Sequence, residues 1–524
     1  MFTSVLLLLV GEGLARRGFE KEKAADARMA GSPIGHDPRF GFKGIPGFNG
    51  VAGGVRVRIN AHGFRDESWE DKLRRADQFP ARPRILLLGD SMTYGYFISK
   101  NFRLGEQLEA FYTSHRAGAE VFNAAIPGYG PAEQTQVLES LLPVIRPDIV
   151  ILRYCANDFG DSALPYDYRS PNRVYKPWYT LDGRLALNEP VPRRFSLRVR
   201  GTFWDRFDLK YAVDRCQYAL DDVSYQRLGV YSDLGIHPAD KKERTLKIAR
   251  LGYLAMDPKS ADVYARQKRR ALTLWSAMRD RCTRAGARFL MTGTIAGGAT
   301  GGEAGLPHDL EWLDIPFLNL APALHPWQPW SYVEGDGHPN MVDNYVAATA
   351  LFNRLNETRL PIDFTEAVWL DKIPAGFELS GNQEDKTLRW GPWGKTLHHM
   401  RDAVTDCRLL LRNPAINRPV TVEITGVVHP GNPLIADSIR MRLSLSEEGG
   451  QAMLLPPGGP FCASFRFDAP QLPLLFLRIE LEKSEGIDGR MTVVTDPGYV
   501  RIRRVVASPG AGSPVPVGQT GQIH

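Results

Sequence analysis

"RILLLGDSMTYGY", residues 84–96, runs four consecutive aliphatic residues into Gly89-Asp90-Ser91 and then turns polar. A short continuous apolar run that stops at a glycine reads as a strand buried on both faces, the kind found inside a parallel sheet. Such a strand delivers Ser91 to its carboxyl end, the edge where open α/β sheets bind ligands. A serine hydroxyl is a weak nucleophile until a base takes its proton. Gly-Asp-Ser alone is also a common tripeptide, and Ser91 reads equally well as a helix cap. The remainder of the chain has to decide between these readings.

Four further apolar runs lie beside turn residues: "AEVFNAAI" (119–126), "PDIVILRYC" (147–155), "GARFLMTGT" (286–294) and "DIPFLNL" (314–320). Between the first three strands, "GEQLEAFYTSH" (105–115) and "PAEQTQVLESLLPVI" (131–145) have helical spacing. This alternation predicts a doubly wound parallel sheet over 84–360. An insertion at about 161–260 separates the third and fourth strands. It holds a hairpin, "KPWYTLDGRLALN" (176–188), that turns at Asp182-Gly183. It leads into a basic helical stretch over 260–282, where Ala271, Leu274, Trp275, Met278 and Cys282 recur on one face. That stripe reads as core against the sheet. The basic side reads as a solvated face, with a membrane surface or the cover of a substrate mouth as alternatives.

After 360 the pattern changes to short alternating runs such as "CRLLLRN", "VTVEITGVV", "SIRMRLSLS", "FCASFRF", "LFLRIELE" and "YVRIRRVVAS". Ile439, Met441, Leu443 and Leu445 fall on one face of such a run. Eight to ten strands separated by Gly, Pro, Asn and Asp predict an all-β sandwich over 365–507. Residues 21–83 read as a loop-rich lead-in with a short alternating strand at the start of "VRVRINAHGFRDE" (55–67), and the Gly/Pro-rich tail 508–524 reads as disordered.

Residues 1–20 open on "MFTSVLLLLV", an apolar run of ten. A bilayer span needs about 20, and no basic residue precedes the run as in a signal peptide. Two readings stay open: a short buried helix end, or the tail of a membrane anchor. The second would make the protein extracytoplasmic and membrane-associated.

The composition is that of a globular protein: 524 residues, 43% hydrophobic, 24% charged. A net charge of +6 with no dense Lys/Arg block gives nucleic-acid binding no support. The five cysteines (155, 216, 282, 407 and 462) are scattered, with no Cys-x-x-Cys pair, so neither a zinc knuckle nor a disulfide framework is indicated. No cofactor and no metal are called for.

Three stretches raise the standing of Ser91. "NAAIPGYG" (123–130) puts Gly128 in the loop after the second strand, where a glycine lets backbone N–H groups approach an oxyanion closely. "YCANDFGD" (154–161) puts Asn157 after the third strand, with a side-chain amide able to donate to the same oxygen. "GDGHPNMVDNY" (335–345) brings His338 just ahead of a helix after the fifth strand, as a candidate base with a carboxylate nearby to orient its ring. Each piece alone is more often a turn former or a packed ring. Four in order, each at a strand's carboxyl end, are much harder to reach by accident.

This order resembles the SGNH hydrolase superfamily, the GDSL-type esterases, over about 84–360. The four family blocks fall on Ser91 in "GDS", Gly128 in "PGYG", Asn157 in "AND" and His338 in "GHPN". The resemblance implies a flavodoxin-like three-layer α/β/α fold with Ser91 as nucleophile and His338 as general base. It implies an oxyanion hole of the Ser91 N–H, Gly128 and Asn157. The lead-in "RINAHGFRDE" is similar to the segment ahead of the catalytic domain in membrane-anchored bacterial members. Two departures stand out. Cys155 replaces the glycine usual two residues before the asparagine, and Gly335 occupies the usual place of the acid, three before the histidine. Asp336, two before, is the favoured orienting acid, and Glu334 is the alternative. A spacing of two also occurs in the alginate-acetyltransferase-like branch.

Three functions are compatible with these residues. The first is a serine esterase that removes acyl groups, above all acetyl, from a small molecule or a glycan; its glycan half rests by analogy on the appended sandwich. Trp390 is the most suggestive sugar-facing aromatic there, with buried core the stronger reading. The second is an O-acyltransferase that passes the acyl group from the same serine to a sugar hydroxyl. The third is a non-catalytic glycan-binding protein.

Overall fold

The computed structural model describes residues 32–162, 176–187, 261–295, 305–332, 337–367, 370, 376–378, 406–428, 439–445, 450–455, 459–468, 470–484, 491–493 and 500–510. The N-terminal apolar run, most of the insertion, Glu334, Asp336 and Trp390 lie outside them. No helix among the described residues is long and apolar enough to cross a membrane. The chain divides into two compact units. One comprises residues 1–99, 103–325 and 350–356. The other comprises 100–102, 326–349 and 357–524.

The first unit opens with two hairpins, β1 (Ile34–Asp37) with β2 (Gly41–Gly44) and β3 (Asn49–Ala52) with β4 (Val55–Arg58). Helix α1 (Trp69–Gln78) follows, capped by Ser68, whose hydroxyl accepts from the Asp71 N–H at 3.2 Å. Then β5 (Arg84–Leu88), α2 (Ser91–Tyr94), α3 (Leu104–His115), β6 (Glu120–Asn123), α4 (Pro131–Ile145), β7 (Ile149–Arg153) and α5 (Asp158–Asp161) succeed one another. A small hairpin, β8 (Trp178–Tyr179) with β9 (Leu185–Leu187), turns at Gly183, whose φ is +81°. Helix α6 (Ala261–Arg284), β10 (Arg288–Gly293), α7 (Leu306–Trp312), β11 (Phe317–Asn319) and α8 (Ala321–Leu324) complete the alternation.

The five strands expected from the apolar runs form one parallel sheet in the order β6-β5-β7-β10-β11. Counted along the chain this is 2-1-3-4-5, the flavodoxin-like order. On one face Leu86, Leu88, Val150, Leu152, Phe289 and Met291 pack with Val137 and Leu138 of α4 and with Trp275, Met278 and Cys282 of α6. The predicted α6 stripe is buried throughout: Ala271, Leu274, Trp275, Met278 and Cys282. On the other face α3 approaches so closely that a Cβ on Gly105 would sit 3.4 Å from Leu87 Cδ1 and 3.6 Å from Val121 Cγ1. Helices on both faces explain why the strands read as continuous apolar runs rather than alternating ones.

In the second unit, helix α9 (Met341–Asn356) begins; its last seven residues, Ala350–Asn356, belong to the first unit. Nine strands follow among the described residues: β12 (Gly376–Glu378), β13 (Asp406–Arg412), β14 (Val420–Val428), β15 (Ile439–Leu445), β16 (Gln451–Leu454), β17 (Gly459–Phe467), β18 (Leu474–Ser484), β19 (Met491–Val493) and β20 (Val500–Pro509). They form two antiparallel sheets, β12-β20-β14-β17 and β13-β18-β15-β16, with β19 on β18. Val422, Ile424, Phe465 and Val505 of one sheet share a core with Met441, Leu443, Leu477 and Ile479 of the other. This is an all-β domain of sandwich type. The tail expected from Ser508 is corrected here: Ser508 and Pro509 are still in β20, paired with Thr421 and Val420.

Trp275 is fully buried, its ring edge-on to Tyr154 at 5.7 Å. Trp275→Ala is expected to lower unfolding free energy by about 3–5 kcal/mol, as large-to-small core substitutions do. A urea titration checks this.

Candidate active site

Strand β5 ends at Leu88, and Gly89 follows with φ +154°, a conformation L side chains rarely adopt. A Cβ there would collide with the Thr93 hydroxyl and lie 3.2 Å from the Arg153 carbonyl oxygen, so only glycine fits this elbow. Asp90, 1% exposed, caps the turn that follows: its Oδ1 accepts from the Met92 N–H at 2.9 Å. Ser91 is thereby the first residue of α2, half-buried, and α2 ends after one turn at Gly95 in the left-handed conformation with φ +75°. The sequence reading weighed Ser91 as nucleophile against Ser91 as cap. In the structure the cap is Asp90.

The loops after β6 and β7 are bonded to this elbow. The Ile126 N–H donates to the Gly89 carbonyl at 3.4 Å, and Gly128 two residues on takes φ +86°. Asn157 Nδ2 donates to Asp90 Oδ2 at 3.0 Å and to Asp161 Oδ2 at 2.7 Å. Next to it, buried Asp158 accepts from the Cys155 N–H at 3.0 Å and from Gln134 Nε2 at 3.1 Å. Burial, and then the charge of Asp90, hold the Asp158 carboxyl well above the usual carboxylate range. Burial likewise pushes the Cys155 thiol far above its ordinary value, which leaves it without thiolate character at neutral pH. The Gly128 and Asn157 loops are also tight against each other. A Cβ on Gly130 would lie 2.8 Å from Ser162 Oγ and 2.9 Å from Asp161 Cβ.

Ser91, Gly128 and Asn157 thus stand on three loops tied together where the strand order reverses between β5 and β7. One detail departs from the sequence reading. Asn157, expected to aim its amide at an acyl oxygen, has both amide hydrogens on carboxylates.

Sequence reasoning missed a support behind the elbow. Asp66, from "GFRDE", is buried, receives the Trp69 indole N–H at 2.8 Å and faces Lys72 Nζ at 3.1 Å. Its Oδ2 also accepts the Asn123 N–H at 3.0 Å, and Asn123 Nδ2 donates to the Thr93 carbonyl in α2 at 2.9 Å. The lead-in therefore reaches the nucleophile turn through the end of β6.

His338 lies in the second unit, half-buried, after Gly337 at φ +79°. Its turn is closed by a bridge between Tyr332 and Pro339. Buried Asn340 serves both sides of that turn. Its Nδ2 donates to the carbonyls of Trp330 at 2.6 Å and Tyr332 at 3.1 Å, while its Oδ1 accepts the Val342 N–H at 2.8 Å, capping α9. The Trp327 and Trp330 rings pack on Phe476 of β18, with centroids 5.2 and 5.3 Å away. The segment that carries His338 thus packs on Phe476 of β18.

The family model for the GDSL-like lipase/acylhydrolases matches residues 85–181. No curated protein matches the chain. Solved structures similar to it include a two-domain esterase (CEX) active on acetylated mannans, co-crystallised with mannopentaose (10% identity, 84% of this chain, 96% of that chain, TM-score 0.27). Others are the psychrotrophic esterase EstA from Pseudoalteromonas sp. (12%, 52%, 97%, 0.28) and AlinE4, an SGNH-hydrolase family esterase (16%, 53%, 96%, 0.25). These likenesses are loose; the assignment stands on the family model, the strand order and the order of the motifs. The site-bearing α/β domain is that of a serine ester hydrolase. Residues 85–181 of it carry the GDSL-like lipase/acylhydrolase domain.

Asn340→Ala removes the α9 cap and leaves two carbonyls without their donor. It is expected to cost about 2–4 kcal/mol, from a cap loss of about 1 and the remainder from unsatisfied carbonyls. Asn340→Asp keeps the cap acceptor and should cost less, as read from paired thermal melts.

Proposed function

We propose that the protein is a serine esterase that removes O-acyl groups, above all acetyl, from a glycan through an acyl-serine intermediate. The observation that carries this is the elbow: Ser91 opens a helical turn at the carboxyl end of the first strand, with the Gly128 and Asn157 loops bonded to it. The glycan part is supported by the β-sandwich carried on the same chain, and O-acetyl sugars are the acylated hydroxyls such a domain would present.

The Ser91 hydroxyl attacks the acyl carbonyl carbon while His338 takes its proton. The carbonyl oxygen becomes an oxyanion held by the backbone N–H groups of Ser91 and Gly128 and by the Asn157 amide. His338 then returns the proton to the departing sugar oxygen, leaving acyl-Ser91. Water, deprotonated by His338, releases the acid and restores the serine. Asp336 orients the imidazole and stabilises its charged form.

The carboxylate partners of Asn157 fit this scheme. A neutral ester carbonyl cannot displace a carboxylate from the amide, whereas a full oxyanion can compete for it. The Asn157 contact is then made in the transition state and not in the ground state, the arrangement that raises kcat. Asn157→Ala should cost roughly 10²–10³ in kcat with KM little changed, and Ser91→Ala should abolish turnover of 4-nitrophenyl acetate and of acetylated polysaccharide alike. A change confined to KM for Asn157→Ala would make that residue a substrate-binding group instead.

The two candidate acids are separated in the same assay. Asp336→Asn should lower kcat by up to about 10⁴ and Glu334→Gln far less. Activity should also fall toward acidic pH, because a protonated imidazole cannot accept the Ser91 proton. The reverse ranking of the two variants would move the orienting role to Glu334. Acetate release in water, against acetyl transfer to added oligosaccharide, separates hydrolysis from the transferase alternative.

A further inference from the structure

We infer that Arg65 is a positioning residue for the serine nucleophile: its buried guanidinium grips the carboxyl end of the one-turn helix that Ser91 begins. The inference rests on Ser91 being the nucleophile. Helix α2 is four residues long. A single helical turn fixes several dihedrals for one hydrogen bond and does not persist unaided. Asp90 secures the Met92 N–H at its start, and a second device is needed at the other end.

Arg65, 3% exposed, is that device. Its Nη1 donates to the carbonyls of Tyr94, at 3.4 Å, and Gly95. Its Nη2 donates to the carbonyl of Ile98 at 2.7 Å and reaches that of Arg56 at 3.5 Å. The guanidinium carbon lies 5.2 Å from the Tyr94 ring centroid. Between the bound carbonyls stands Phe97 at φ +63°, a bulky residue in the left-handed region that its surroundings must hold in place. A planar fork that reaches both sides of Phe97 does this; a point charge cannot.

The Arg65 backbone is held as well. Arg103 Nη1 donates to the Arg65 carbonyl, Arg103 Nη2 binds Glu106, and a Cβ on Gly95 would lie 2.6 Å from Arg103 Cγ. Burial, and then the neighbouring charge of Arg103, lower the Arg65 pKa to about 10, which still leaves it protonated at neutral pH. Two neighbouring buried arginines are a costly arrangement, met here by the carbonyls at the end of the turn for Arg65 and by Glu106 and the Arg65 carbonyl for Arg103.

The test measures two rates on the full chain: the second-order rate constant for labelling by a fluorophosphonate, and kcat and KM for 4-nitrophenyl acetate. Arg65→Lys keeps the charge but loses the fork, and Arg65→Gln keeps a donor without the charge. Arg84→Met is the control. It removes a largely buried cation at the amino end of β5, where its Nη1 donates to the Ile145 carbonyl at 3.1 Å, at the end of the strand opposite the turn. We expect Arg65→Lys to lower both the labelling rate and kcat by about 10–100-fold with KM within about twofold, since ångström displacements of reacting groups cost this much. Arg84→Met should lower the thermal midpoint while labelling at the parental rate. Labelling of Arg65→Lys within about twofold of the parent, equal slowing by Arg84→Met, or failure of both Arg65 variants to fold would overturn the inference. Ser91→Ala, which should not label, separates the two claims. If it labels like the parent, the nucleophile assignment fails, and not only the role of Arg65.

Discussion

A helix one turn long cannot hold itself, and the helix that starts at Ser91 is four residues long. What surrounds it can be understood as support for that turn. Gly89 supplies a backbone conformation closed to other residues, and Asp90 caps the Met92 N–H. Asn123 binds the Thr93 carbonyl from the end of β6, and Arg65 takes the carbonyls at the far end. Each of these partners is buried or nearly so, where a hydrogen bond is strong and an unpaired group is costly. Ser91 is left half-buried just beyond the end of a strand buried along its length.

The strand order determines which loops can meet there. In a 2-1-3-4-5 sheet the chain leaves the first strand to one side and the third to the other, so a crevice opens between their carboxyl ends. The loops after β5 and β7 flank that crevice, and the bond from Asn157 to Asp90 crosses it at 3.0 Å. The carboxylates of Asp90 and Asp161 share the Asn157 amide, and that of Asp158 lies buried beside them. Burial, and then the charge of Asp90, hold the Asp158 carboxyl well above the ordinary range.

The sheet was legible because a strand covered on both faces must be apolar at every position, and five such runs stood beside turn residues. The α6 stripe was legible for the same reason, at a different period. The nucleophile and its companion loops were legible as motifs in order. Their hydrogen-bond partners were not: the bonds of Arg65 to Tyr94 and Ile98 and of Asn157 to Asp90 join residues tens of positions apart, and no local pattern records them. The segment around His338 shows the same limit. Trp330 is buried against Phe476, nearly 150 residues later, a contact that no local pattern records. Ser508 and Pro509 have the composition of a tail, yet pairing with β14 holds them in a strand.

The account turns on a covalent acyl group at one hydroxyl. Mixing the protein with 4-nitrophenyl acetate, quenching in acid within the first turnover and digesting for mass spectrometry tests this most directly. The account predicts one acetyl group per molecule, on the peptide that contains Ser91 and assigned to that residue by fragmentation. Acetyl on a different residue, with Ser91 unmodified while turnover proceeds, would contradict it.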